Sequence, residues 1–296
     1  MTKLIAFLIL LPTASLHAAV THVRVRCAAC TATIVGVARP TVSAKNVRPI
    51  NAQLVEVTAA DGETITVPQS VVVEWLSSGR SSATVRNVAA LHIDAAAGQI
   101  SADHIVGNID GKTANANVIA REVGGSVVLT TGNGNIDLRA VRGLVEVTSG
   151  NGNTTIANIA AGVHVTSING KTDIACVTGA VSVQDTSGRT TVAAISGDVD
   201  LFTALGTARY DGVLQPNRSY RLRTLDGAVT LAYAPASSGF SAQLASDAMQ
   251  IAIDARPAAK QKRVLIRTGD ERARVVLDAV GGRVELTKRT VMPRCP

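Results

Sequence analysis

The sequence predicts an all-β protein, a small β-solenoid (β-helix) with two strands per coil and 18-residue coils. Three observations carry this. A glycine or alanine recurs every nine positions from Gly98 to Gly206. Branched aliphatics occupy fixed places between those small residues. The composition is 46% hydrophobic but only 2% aromatic, which suits a thin interior of Val, Ile, Leu and Ala.

The first element does not belong to that fold. Met1-Thr2-Lys3 is a short basic lead, Leu4 to Leu11 is almost unbrokenly apolar, and Pro12 to Ala19 ends in small residues. This is the layout of a secretory signal peptide over residues 1–18, with cleavage expected after Ala18 or Ala19. Its apolar core is too short for a bilayer span, which needs about 20 residues. No later run approaches that length, so no transmembrane segment is expected after signal removal. The chain is expected to be exported, whether periplasmic, at the cell surface or secreted.

Four cysteines in an exported chain permit three full pairings. Cys27 and Cys30, in Cys-Ala-Ala-Cys, form one candidate disulfide, and the partners of all four, Cys176 and Cys295 included, are left open. No βαβ pattern surrounds Cys27 and Cys30, as a thioredoxin-like motif requires, and Thr31 rather than His follows Cys30, which argues against haem attachment. Zinc would need two further ligands, and His22 is the only histidine nearby. No metal and no cofactor are expected.

Residues 19–95 precede the clean register. They contain Val71-Val72-Val73-Glu74-Trp75-Leu76 and are expected to form an N-terminal cap with irregular first coils. Residues 96–210 are the regular solenoid. Gly98, Gly134, Gly152, Gly170, Gly188 and Gly206 fall on multiples of 18 from one another, with Ala116 in the gap. Gly107, Gly125, Gly143, Gly179 and Gly197 lie halfway, with Ala161 at the missing place. Between them run the files Leu138, Ile156, Ile174, Val192 and Val127, Val145, Val163, Val181, Val199. Val145-Glu146-Val147 and Val163-His164-Val165 alternate as strands with one buried face do.

The corners are Asn133-Gly134, Asn151-Gly152 and Asn169-Gly170, with Gly188 in the next coil; both residue types tolerate the positive φ of a tight reversal. Stacking at about 4.8 Å per coil places Asn133, Asn151 and Asn169 over one another as a polar ladder, and six coils make a rod of about 30 Å. A solenoid's end coils expose unpaired backbone, so caps are expected. Residues 211–290 read as a C-terminal solenoid extension and cap, with strand-like runs at 220–225, 228–233, 249–254, 263–268, 273–278 and 283–287, and residues 291–296 as a tail.

Net charge is +7, or +6 without Lys3. It is uneven: residues 98–206 carry 6 Lys/Arg against 9 Asp/Glu, whereas residues 207–296 carry 15 against 8. Long-range attraction to polyanions would therefore come from the C-terminal third. The candidate polyanion-binding residues are Arg218, Arg221, Arg223, Lys260, Lys262 and Arg263; a solvated surface is the bland alternative.

The chain resembles the bacterial putative-adhesin family of envelope-associated β-solenoid domains. The resembling residues are the corners Thr131 to Asn135 and Ser149 to Asn153. With them go the run Leu222 to Val229 followed by Pro235-Ala236-Ser237-Ser238, and the closing Val275 to Leu286. The resemblance covers roughly residues 85–288. It implies envelope interaction or scaffolding and brings no catalytic residues.

The expected function is thus a non-enzymatic adhesion or scaffold rod, meeting an envelope component or surface polymer and no specific nucleic acid. The alternative is a carbohydrate-active β-helix enzyme. Glycoside cleavage needs two facing carboxylates, but Asp110, Asp137, Asp173, Asp198 and Asp200 are scattered, and aromatic platforms are few, Trp75 among them. A calcium-loaded repeat is disfavoured because Lys and Arg enter the turns. For an ice-binding face, Thr154, Thr172 and Thr190 form one file without a second beside it. Histidines 22, 92, 104 and 164 show no ligand spacing.

Overall fold

The structure, a computed structural model, describes residues 20–234, 239–252, 262–289 and 295. The expected signal peptide, the acidic end of the 249–254 run, most of the tail and Lys260 lie outside the described residues. The chain is an all-β solenoid. Among the described residues every element is a strand or turn, and no helix is long and apolar enough to cross a membrane.

The middle of the stack is made of β7 (Ala90–Ile105), β8 (Ile109–Val123), β9 (Val127–Asn133), β10 (Ile136–Val141), β11 (Val145–Asn151), β12 (Thr154–Ile159), β13 (Val163–Val177), β14 (Val181–Ile195) and β15 (Val199–Val213). All pair in parallel at an offset of one coil, so Val127, Val145, Val163, Val181 and Val199 stack in register. Each coil is two straight halves meeting at a glycine corner. In β13 and β14 the ladder continues round that corner and the coil becomes one bent strand. The Val and Ile files are completely buried. Each such side chain contributes on the order of 1.5–3 kcal/mol of transfer free energy.

The two glycine files do different work. Gly152 has φ of +138°, and an added Cβ would meet the Gly134 carbonyl oxygen at 2.1 Å. Gly143 needs its bare Cα because a Cβ would stand 2.5 Å from the carbonyl carbon of Gly125, one coil below. Gly188 is absent from the positive-φ set, and Ala116 fills the same place buried in the core. A third file, invisible as glycine spacing, takes the left-handed conformation at the other bend: His104, Glu122, Ala140, Asn158, Cys176 and Ala194.

The corner amides couple the coils. Asn133 Nδ2 donates to Asn115 Oδ1 (2.8 Å), Asn151 to Asn133 (2.8 Å) and Asn169 to Asn151 (2.9 Å). A second ladder lies across the corner, where Asn117, Asn135 and Asn153 accept from the backbone N–H of Asn135, Asn153 and Lys171. Inside the corner runs a buried hydroxyl file, Thr113, Thr131, Ser149, Ser167, Thr203 and Thr224, interrupted by Asp185. The Thr154, Thr172, Thr190 file is also buried, so it is core and not an ice-binding face. Trp75 is fully buried too and is no sugar platform.

At both ends the spatial order of coils departs from chain order. At the N-terminal end are β1 (His22–Cys27), β2 (Thr31–Val37), β3 (Val47–Pro49), β4 (Leu54–Thr58), β5 (Glu63–Pro68) and β6 (Val72–Arg86). The coil β1–β2 sits between β4–β5 on one side and β6 on the other, and β3 closes onto β4 antiparallel. At the C-terminal end are β16 (Ser219–Ala234), β17 (Phe240–Ala252), β18 (Arg263–Thr268) and β19 (Ala273–Lys288). Here β19 is inserted between β16 and β17, and β18 closes onto β17 antiparallel.

The step from β15 to β16 is 21 residues, Val199 pairing with Tyr220. Two buried tyrosines occupy the interior there, Tyr210 and Tyr220, with ring centroids 5.1 Å apart. The Tyr210 hydroxyl donates to the Val213 carbonyl at 3.2 Å, and the Gln215 N–H donates to the Tyr220 hydroxyl at 2.8 Å. Burial raises both phenol pKa values. Strands β7 and β15 run without a break across residues 95/96 and 210/211, where the glycine spacing alone had placed the limits of the regular region.

Two disulfides are present. Cys27–Cys30 closes the corner between β1 and β2, and Cys176–Cys295 ties Cys295 back to β13. Arg289 lies on that path: its N–H donates to the Tyr233 carbonyl at 2.8 Å and its guanidinium is 3.6 Å from Asp211.

Candidate functional site

Outward-facing side chains form columns along each face, one residue per coil, and many charged groups in them meet a partner on the next coil or on their own strand. Arg24 meets Glu74 (2.7 Å), Arg26 meets Glu56 (2.8 Å), and His104 meets Glu122 (2.7 Å). Exposed pairs of this kind are each worth up to about 1 kcal/mol and help fix register.

The carboxylates weighed for glycoside chemistry are engaged too, Asp137 and Asp173 by a cation two residues away on their own strand and the others by the adjacent coil. Asp110 faces His92 at 2.5 Å, Asp137 faces Arg139 at 2.9 Å, and Asp173 faces Lys171 at 2.5 Å. Asp198 accepts from the Ser219 N–H at 2.8 Å, and Asp200 is held by two arginines. Each carboxylate is engaged by a donor or cation, with no second carboxylate among those contacts. Among the described residues no group of three His, Cys, Asp or Glu is placed to hold a metal ion.

Two buried carboxylates stand apart. Glu63 accepts the N–H groups of Lys45 (2.5 Å) and Ala60 (2.8 Å), which hold its pKa below the usual value. It ties two cap loops together. Asp185 is 2% exposed, and burial raises its pKa; the Thr190 hydroxyl donates to one oxygen at 3.4 Å and the other oxygen has no partner. Its register neighbours are Ser167 and Thr203, so no other charge compensates it.

Of the six basic residues singled out in the sequence, the five that lie among the described residues fall in two groups. Arg218, Arg221 and Arg223 lie on or next to β16. Arg221 and Arg223 both reach back one coil to Asp200, at 3.5 and 3.3 Å, and the Arg223 guanidinium also lies 5.7 Å over the Phe202 ring. Lys262 and Arg263 sit at β18, with Lys262 3.2 Å from Asp247. Strands β19 and β17 separate the two groups, and Asp278 stands in the intervening column.

The described hollows are grooves between columns. Those of about 500, 480 and 450 Å³ lie beside Cys27 at the N-terminal end, along the column of His164, Asp198, Asp200 and Arg221, and between β17, β18 and β19. Missed from sequence were Lys171, Arg189 and Arg283, which line the far side of the glycine corner. Adding the coil offset residue by residue would have aligned the first two; Arg283 requires the order of β19.

No family model matches the chain, and no curated protein matches it. Among solved structures the chain is similar to a putative cell adhesion protein from Clostridium sporogenes ATCC 15579, at 8% identity over 92% of this chain and 94% of that one. The TM-score is 0.18, and at that level the likeness carries no argument.

Proposed function

We propose that the protein is an exported, non-enzymatic rod of the cell envelope or surface, serving as an adhesion or scaffold module related to the putative-adhesin family. The observation that carries this reading is the stack itself. Its interior is filled by aliphatic files, and many of its surface carboxylates are engaged by a cation on the same strand or the next coil, which favours a stiff, regular surface over a reaction centre. Repetition of one supersecondary unit with a continuous core is the usual basis of an extended binding surface.

Acidic envelope polymers are the partners that the basic C-terminal third favours, with Arg218, Arg263 and the partly engaged Arg221 and Arg223 as contacts. The test is co-sedimentation of the purified protein with isolated cell-wall polymer at rising salt. Retention that falls steadily with salt is expected, because screening shortens the reach of exposed charges to about 8 Å at physiological ionic strength. Release of soluble sugar from the polymer during the same incubation would instead establish the carbohydrate-active alternative.

A further inference from the structure

The outer edge of the glycine corner changes character along the rod. Through β8, β9, β11 and β13 it carries the amides Asn115, Asn133, Asn151 and Asn169, joined in a ladder. Beyond β13 the ladder stops, because Ser187 and then Leu205 take the next two places. Leu205 (55% exposed) takes the amide place on β15, and on β16 and β19, where Asp226 and Gly281 follow in that column, the neighbouring column one residue earlier carries Leu225 (52%) and Val280 (64%), diagonal to Leu205. Ile168, 52% exposed, stands two coils earlier on the same edge.

An isolated exposed leucine needs no explanation, but one on each of three adjacent coils forms a continuous apolar ridge. It is convex, since it runs along the line where the chain doubles back. Its flank is basic. One step past the corner glycine, the column Lys171, Arg189, Thr207, Ala228, Arg283 carries exposed cations at either end of the ridge, and Arg189 and Arg283 have no ion-pair partner among the described residues. Arg223 borders it on the other face. Asp226 is the one acidic residue set into the ridge.

We infer that this ridge is a membrane-surface anchor. Leu205, Leu225 and Val280 enter the headgroup–acyl boundary of an anionic bilayer while Arg189, Arg283 and Arg223 meet its phosphates. Apolar side chains on a protruding edge with cations at their base are the chemistry of interfacial binding, in which burial of hydrocarbon and attraction to acidic headgroups add. A polysaccharide would gain nothing from the leucines. A second copy of the chain would bring the same arginine column against its own like charge. The inference deepens the envelope reading and rests on it only for the chain's access to a membrane.

Flotation of the full chain with phosphatidylcholine vesicles, with and without phosphatidylglycerol, tests it. Binding is expected only with the anionic lipid, and combined Leu205→Ser, Leu225→Ser and Val280→Ser should lower the partition coefficient about tenfold or more. These side chains are exposed, so the melting temperature should not move; a second variant covers the case in which it does. Leu225→Trp places a new indole on the ridge, where brominated acyl chains should quench it, while the chain's single native Trp75 is fully buried and stays silent. Failure to float with anionic vesicles, wild-type binding by the triple serine variant, or an unquenched indole would each overturn the inference. Because the vesicles contain no cell-wall polymer, a negative result here leaves the polymer co-sedimentation to stand or fall separately.

Discussion

Between β8 and β15 each coil is its predecessor moved along by one lap, whereas at both ends the strand nearest the chain terminus is threaded into the stack. Strand β1 lies between β4 and β6, and β19 lies between β16 and β17. A stack of parallel coils is open-ended: its last edge offers the same donors and acceptors as every edge before it. Both ends answer this by reversing direction, β3 on β4 and β18 on β17. Strand β3 is only Val47-Arg48-Pro49, and its proline has no N–H to extend a ladder. Growth thus depends on translation, and termination on breaking it.

The sharpest way to break the comparison is to release an end. Cys295→Ser opens the bridge to β13, which spans a sequence separation of 119. In the chain-entropy account a loop of that size is worth about 4 kcal/mol or somewhat more. A large fall in the denaturation midpoint is expected, read by urea titration. The bridge Cys27–Cys30 closes a separation of only 3, so Cys30→Ser should cost far less.

A matched pair of glycine substitutions comes next. In the middle, Gly152→Ala combines a positive φ with a backbone contact at 2.1 Å, and a loss of about 3 kcal/mol is expected. In the N-terminal cap, Gly62 also has positive φ (+70°) but nothing within 4 Å of an added Cβ, so Gly62→Ala should cost only about 1 kcal/mol. Equal losses, measured by thermal melts of the two variants, would mean that the coils have more room to separate than the stack allows.

The smallest effect carries a sign that pH can check. Because the folded pKa of Asp185 is raised, its contribution is unfavourable at neutral pH and fades as pH falls through the raised value to the ordinary carboxylate range, below which no penalty is left. Asp185→Ser, which restores the hydroxyl file, should stabilise by about 1 kcal/mol at pH 7 and by less at pH 4. Melting curves of both proteins at the two pH values decide it; destabilisation at pH 7 would show that the carboxylate has a partner.

The same contrast explains what could be read from the residues alone. The middle was legible because Val145, Val163 and Val181 recur at the coil length and the glycines mark where the chain must turn. The left-handed file escaped notice because His104, Glu122 and Cys176 share a conformation and no chemistry. The caps escaped because nothing in β19 says that it will enter the stack ahead of β17. Of the candidate basic residues, Arg221 and Arg223 were correctly placed on one strand. The 21-residue step from Gly206 to Gly227 can be counted in the sequence, but that both arginines reach back to Asp200 is a matter of side-chain placement that spacing does not carry.

The bridge from Cys295 to Cys176 also decides how the rod would carry a load. Tension entering at Cys295 is delivered at β13, partway along the molecule. The coils from β14 to β19 then hang outside the line of force as an unstressed side loop. Pulled in this way, the segment that bears the apolar ridge keeps its shape while the N-terminal coils take the strain.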